Sequence, residues 1–106
     1  MNAGLGTAPS KTVAIKAGIP FTVHTYMVNK VCGSSMMATI LCMKEIMHGY
    51  RNCTMICGTE SMTNAPIVIP NMRLGAKFGC TQTYDVLEKD GLYESLEGVI
   101  VGKKVE

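Results

Sequence analysis

Charge is scarce in this sequence. Asp, Glu, Lys and Arg make up 17% of its 106 residues, for a formal net charge of +2, against 47% hydrophobic residues. That balance excludes a disordered chain. The basic residues are scattered along the sequence and not clustered, which excludes a nucleic-acid-binding face. Long apolar runs are missing as well. The most apolar windows are broken by Glu60, Asn64, Pro66 and Pro70 or by Lys44 and Glu45, so no membrane span is expected. There is no internal repeat and no low-complexity segment.

Cysteine is present without a metal pattern. Cys32, Cys42, Cys53, Cys57 and Cys80 lack the paired short spacings of a zinc site. Cys53 and Cys57 lie in a strand-like run, which sets them on one face about 13 Å apart, too far for one metal ion or a disulfide. Free thiols in a reducing compartment are expected, and no metal site. Histidine is limited to His24 and His48. His48 follows Cys32 by roughly 24 Å of helix rise. His24 stands eight residues before the cysteine on a strand-like run, so local geometry gives neither imidazole hydrogen-bond reach to the thiol. His24 is expected to be packed or interfacial, and His48 to sit at a helix C-terminus.

The stretch Asn29-Lys30-Val31-Cys32-Gly33-Ser34-Ser35 places a cysteine where one periodicity becomes another. Phe21 to Val28 is rich in β-branched and aromatic residues and follows Gly18 and Pro20, which predicts a strand. From Gly33 to about His48 apolar residues recur at helical spacing, with Gly49 as a stop. Cys32 therefore lies near a helix N-terminus, where backbone N–H groups and the macrodipole favour a thiolate and can donate to an oxyanion. The residues alone leave two fates open, a nucleophile or a buried thiol acting as a small hydrophobe.

A helix around Ala8 to Lys16 and a second strand over about Cys53 to Gly58 complete an alternating pattern. The fold class read from it is α/β, a βαβ unit with parallel strands, a right-handed crossover and a buried central helix. Met36, Met37, Met43 and Met47 would make that helix apolar on most of its circumference, as core packing requires. Beyond Pro66 the pattern loosens, and only Thr83 to Glu88 and Leu92 to Leu96 suggest helical turns.

Asn-Lys-Val-Cys-Gly-Ser-Ser followed by Met-Met-Ala resembles the active-site block of the thiolases, the acetyl-CoA acetyltransferase and 3-ketoacyl-CoA thiolase family. Gly58-Thr59-Glu60-Ser61-Met62-Thr63-Asn64-Ala65-Pro66 is similar to that family's Gly-Gly-Met-Glu-Ser-Met-Ser-Asn-Ala-Pro segment. Gly4-Leu5-Gly6-Thr7-Ala8-Pro9, leading to Ala17-Gly18-Ile19-Pro20, resembles its Gly-x-Gly-Gln-x-Pro-Ala-Arg helix and the turn after it, and Asp90-Gly91-Leu92 and Gly102 continue the match. The resemblance covers essentially the whole chain in order.

What the resemblance implies is acyl transfer through a thioester on Cys32, with acetyl-CoA and coenzyme A as substrates and no covalently held cofactor. Leu92 takes the place of a leucine that packs against coenzyme A in the family. Residues 1–66 correspond to part of the family's N-terminal α/β domain, and 67–106 to the beginning of its loop domain. The family's activating His and second Cys belong to a second half with no counterpart here, so the chain is expected to be inactive alone. The sheet is expected to be incomplete. The implied partners are an acyl-CoA substrate and either another copy of the chain or a full-length thiolase. Mitochondrion and cytosol are both open. As Met1-Asn2-Ala3-Gly4 enters directly into family-like sequence, no signal or transit peptide is expected within this sequence, and Val105-Glu106 is not expected to act as a peroxisomal address. Departures gather around the coenzyme A pocket, where Ile100-Val101-Gly102 stands for the family's His-Met-Gly. Thr7 replaces Gln, Lys11 replaces Arg, Thr39 an aliphatic residue and Thr59 a small one.

Overall fold

The computed structural model describes residues 2–104; Met1, Val105 and Glu106, and with them the C-terminal dipeptide, lie outside the described residues. The chain forms two compact units, one over Thr7–Thr59 and the other from Glu60 onward together with the residues before Thr7.

The Thr7–Thr59 unit is built on two helices. Helix α1 runs Pro9–Lys16 and α2 runs Ser34–Met47. Proline is at home at the start of α1, because the N–H it lacks would have no helical partner there. Both helices end in the same way. Ile19 N–H bonds Ala14 O at 2.9 Å around Gly18 (φ +83°), and Tyr50 N–H bonds Glu45 O at 2.9 Å around Gly49 (φ +72°). Each glycine takes the left-handed conformation that satisfies the last carbonyls, which a side chain would resist.

The two expected strands of this unit, Phe21 to Val28 and Cys53 to Gly58, do not form: residues 21–23 make a turn in which Val23 N–H bonds Pro20 O at 3.0 Å, and the rest is irregular. Residues 24–29 and 53–60 carry no strand ladder, so the structure does not form the predicted parallel βαβ pairing. A ladder needs a neighbour at ladder spacing, and neither run has one among the described residues. The central helix is only partly covered: α2 has no fully buried residue, though Met37, Ala38, Ile40, Leu41 and Cys42 are half-buried. Met36, Met43 and Met47 are 71%, 52% and 73% exposed, contrary to the core role their spacing predicts. An apolar helix face is buried only when another layer lies on it.

The second unit is a string of short elements. Strand β1 (Ile67–Val68) pairs antiparallel with β2 (Tyr84–Asp85), and β3 (Tyr93–Glu94) with β4 (Val99–Ile100). Single 3₁₀ turns stand at Met62–Asn64, Met72–Leu74 and Val101–Lys104. A π-helical turn, Leu87–Leu92, joins β2 to β3. The helical turns predicted over Thr83 to Glu88 and Leu92 to Leu96 are thus replaced by strand ends flanking this wider turn, because Tyr84 and Tyr93 find antiparallel partners. Val86, 1% exposed, is the buried apolar side chain among the described residues, and its N–H reaches Pro66 O at 3.2 Å.

Candidate functional site

Cys32 sits two residues before α2, on a loop closed by its own hydrogen bonds. Asn29 Oδ1 accepts from Val31 N–H at 3.2 Å, and Ser34 Oγ accepts from Lys30 N–H at 2.9 Å while donating to Val31 O at 2.6 Å. Two backbone bonds complete the loop, Gly33 N–H to Lys30 O at 3.0 Å and Ser34 N–H to Val31 O at 3.2 Å. Inside this frame Val31 takes φ +49°. A β-branched residue in that region is strained, and such strain persists only where surrounding bonds over-determine it.

The thiol that follows is free and exposed, so the fate of a buried small hydrophobe does not apply to it. Gly33 caps α2 with no side-chain bond and no acidic residue lies in the first turn, leaving the helix's positive end uncompensated by side chains. The run over residues 53–60 passes the same end. A β-carbon built on Gly58 would meet Ser35 Oγ at 3.8 Å. Gly58 and Ser35 are thus neighbours beside the first turn of α2.

The histidines stand elsewhere. His24 is exposed, so of the two expected placements, packed or interfacial, it is not packed within this chain. His48 caps the far end of α2, where its Nδ1 lies 2.8 Å from Lys44 O and its ring stacks on Tyr50 at 6.1 Å between centroids. Tyr26 OH donates to Glu45 Oε1 at 3.3 Å, tying the run before Cys32 to α2, and Glu45 Oε2 lies 4.0 Å from Arg51 Nε. Partial burial first, then the neighbouring Glu45 and Cys42, push the Tyr26 hydroxyl above its usual pKa of 10.0.

Leu92 lies in the other unit, as the last residue of the π-helical turn, and is 44% exposed. A hollow of about 270 Å³ opens beside that turn, between Tyr84, Lys89 and Tyr93. Lys89 Nζ stands 5.2 Å from the centroid of each tyrosine ring. Among the described residues no three His, Cys, Asp or Glu side chains converge to hold a metal ion, and no helix is long and apolar enough to cross a membrane. Sequence reading missed the left-handed Val31 and the Lys89 cluster. The first had no signal, since valine rarely adopts that conformation; the second could have been sought in the tyrosines five residues before and four after a lysine.

The family model for the thiolase N-terminal domain matches residues 1–106. An acetyl-CoA acetyltransferase of Schizosaccharomyces pombe is 42% identical over 106 residues, all of this chain but 27% of the relative. A cytosolic acetyl-CoA acetyltransferase of Gibberella zeae is likewise 42% identical, with 27% of its length covered. Among solved structures, a thiolase from Ascaris suum in complex with coenzyme A superposes with a TM-score of 0.87 at 38% identity, over 98% of this chain and 28% of that one. The chain thus spans about a quarter of the length of the proteins it matches.

Proposed function

The chain belongs to the thiolase family, through its N-terminal domain, and on that premise we propose that Cys32 is the acyl-accepting nucleophile of an acetyl-CoA C-acetyltransferase. In the first step the Cys32 thiolate adds to the thioester carbonyl of acetyl-CoA, the carbon–sulfur bond to coenzyme A breaks, and the acetyl group stays on Sγ. Coenzyme A leaves as its thiol with a proton. In the second step the α-carbon of a second acetyl-CoA, its proton lost to a general base, attacks the acetyl carbonyl, the bond to Cys32 Sγ breaks and acetoacetyl-CoA forms. In the thiolytic direction the thiolate of free coenzyme A takes the acetyl group from Sγ, which leaves as thiolate. The Cys32 backbone N–H, at the positive end of α2, contributes to stabilising the oxyanion. Leu92 packs against coenzyme A, which is the ligand of the Ascaris suum thiolase.

The observation that carries this reading is an exposed thiol on a strained, self-bonded loop at a helix start, in a chain matched along its whole length to the family. His48 closes the opposite end of α2 and His24 stands eight residues before Cys32, so neither imidazole is read as the base that arms the thiol. The chain alone is therefore slow. Residues 1–66 act as part of the α/β domain, in which the runs 24–29 and 53–60 take strand neighbours, and 67–106 begin the loop domain. The cytosol is the proposed compartment, as in the name of the Gibberella zeae relative.

Intact and peptide-resolved mass spectrometry after incubation with acetyl-CoA tests both points. The expected result is slow, substoichiometric acetylation at Cys32 ahead of the other four thiols. Equal labelling of all five overturns the nucleophile. Rapid stoichiometric labelling that Cys32→Ala abolishes overturns the claim that the chain alone lacks its base.

A second reading follows from the burial pattern. With Met36, Met43 and Met47 exposed on α2, the chain has apolar helix surface to set against a full-length thiolase, with which it would associate without turning over substrate. Size-exclusion chromatography of the chain mixed with a full-length acetyl-CoA acetyltransferase should show co-elution, and separate elution would dismiss this reading.

A further inference from the structure

The turn that carries Leu92 is held from both sides by one cation. Tyr84 opens β2 just before the turn and Tyr93 opens β3 just after it. Lys89, in the middle of the turn, reaches both rings, with Nζ 5.2 Å from each centroid. A π-helical turn is uncommon and relies on supporting contacts. Here Leu87 N–H donates to Asp85 Oδ1 at 2.8 Å, and the side chain of Val86 anchors the entrance in the interior. The exit is held by the backbone, through Tyr93 N–H to Glu88 O and the β3–β4 ladder, while the Leu92 and Tyr93 side chains stay 44% and 38% exposed. Lys89 is the side chain that reaches the tyrosine at the entrance and the tyrosine at the exit alike.

We propose that Lys89, with Tyr84 and Tyr93, forms a positioning cluster that sets coenzyme A affinity by holding the turn that presents Leu92, without touching the ligand. The inference rests on the reading of Leu92 as a coenzyme A contact. A ligand that binds only the formed turn sees its apparent affinity fall in proportion to the fraction of chains in which the turn is formed. Removing the cation while keeping the aliphatic stem lowers that fraction.

Isothermal titration of the full chain with coenzyme A, alongside amide exchange over residues 87–92, tests the cluster with three variants. Lys89→Met should weaken coenzyme A binding and speed exchange in the turn together, the two fold-changes multiplying to about fivefold, the scale of two cation–π contacts. Lys89→Arg should stay within about twofold of the parent, since guanidinium also stacks on aromatic rings. Leu92→Ala should weaken binding with exchange unchanged. Parent-like binding in Lys89→Met overturns the inference, and leaves the Leu92 reading standing if Leu92→Ala still weakens. Parent-like binding in Leu92→Ala, or no binding by the parent chain, overturns the Leu92 reading and this inference with it. Loss of the α2 signal at 222 nm in Lys89→Met would mark a general loss of structure and also count against the cluster.

Discussion

The hydroxyl of Ser34 donates to the carbonyl of Val31 at 2.6 Å, and this bond spans Cys32 from one side to the other. The same oxygen accepts from Lys30 N–H at 2.9 Å, so a single side chain satisfies two backbone groups of the loop and opens α2. A serine there is both the first helical residue and the clasp on the turn before it.

Removing that hydroxyl should loosen the loop without touching the helix. Ser34→Ala deletes two hydrogen bonds at an exposed site, where water replaces the lost partners, so the net cost is about 1 kcal/mol. Amide exchange at Gly33, whose N–H bonds Lys30 O at 3.0 Å, should rise about fivefold by that figure. Ser34→Thr keeps the hydroxyl and should hold the parent rate. A parent-like rate in Ser34→Ala would show that the clasp contributes nothing.

The strain at Val31 makes an opposite prediction. At φ +49° its β-branched side chain costs roughly 1–2 kcal/mol relative to a residue that tolerates the left-handed region. Asparagine is such a residue. Val31→Asn should therefore slow exchange of the Ser34 amide, which bonds Val31 O at 3.2 Å, and Val31→Ile should leave it unchanged. Unchanged or faster exchange in Val31→Asn would mean the loop stores no strain.

These two residues also mark how far the sequence could be read. Spacing of apolar side chains located α2 over Gly33 to His48 against an observed Ser34–Met47, and α1 over Ala8 to Lys16 against Pro9–Lys16. Helices are legible because their hydrogen bonds close within the segment. Phe21 to Val28 is different, because β-branched residues favour an extended backbone but a ladder needs a neighbour. The methionines of α2 failed as a guide to burial for a related reason, since periodicity says which face is apolar and not what lies against it. At the candidate site, residue types placed Cys32 at a helix start. They could not reveal that the preceding valine is left-handed, because that conformation is imposed by Asn29 and Ser34 against valine's own preference.

The hydroxyl of Tyr26 should ionise above the usual tyrosine value. Its pKa is raised by partial burial, then by the charge of Glu45 and by Cys42. A group whose folded pKa lies above its unfolded value contributes stability that is fully present below the unfolded pKa, near 10, and is lost as pH rises through the folded one. The link between the run before Cys32 and α2 should accordingly hold through neutral pH and release only in strong alkali. Absorbance at 295 nm, compared between the parent and Tyr26→Phe, isolates this titration. Glu45→Gln should lower the midpoint while leaving the part due to burial. An unshifted midpoint in Glu45→Gln would remove Glu45 as a cause.

Lys11 stands where the family usually has arginine, and its ammonium shows what either cation does there. It donates to the carbonyl of Phe21 and to Val23 O at 2.6 Å, and lies 4.6 Å from the centroid of the Phe21 ring. Three contacts from one side chain fasten α1 to the turn that leads into the run before Cys32. Phe21 is 75% exposed, so little besides Lys11 restrains it. Hydrogen bonds from a charged donor are worth about 1.5–3 kcal/mol each when formed well, less at an exposed site, and losing both should open the turn roughly tenfold more often. Lys11→Met should therefore be cut by chymotrypsin after Phe21 about tenfold faster, on the same reasoning, because cleavage follows the population of the open turn. Lys11→Arg supplies more donors in a planar fork and should be cut no faster than the parent. Equal cleavage of Lys11→Met and the parent would show that the turn is held by its own backbone, through the Val23 N–H to Pro20 O bond at 3.0 Å, and not by the lysine.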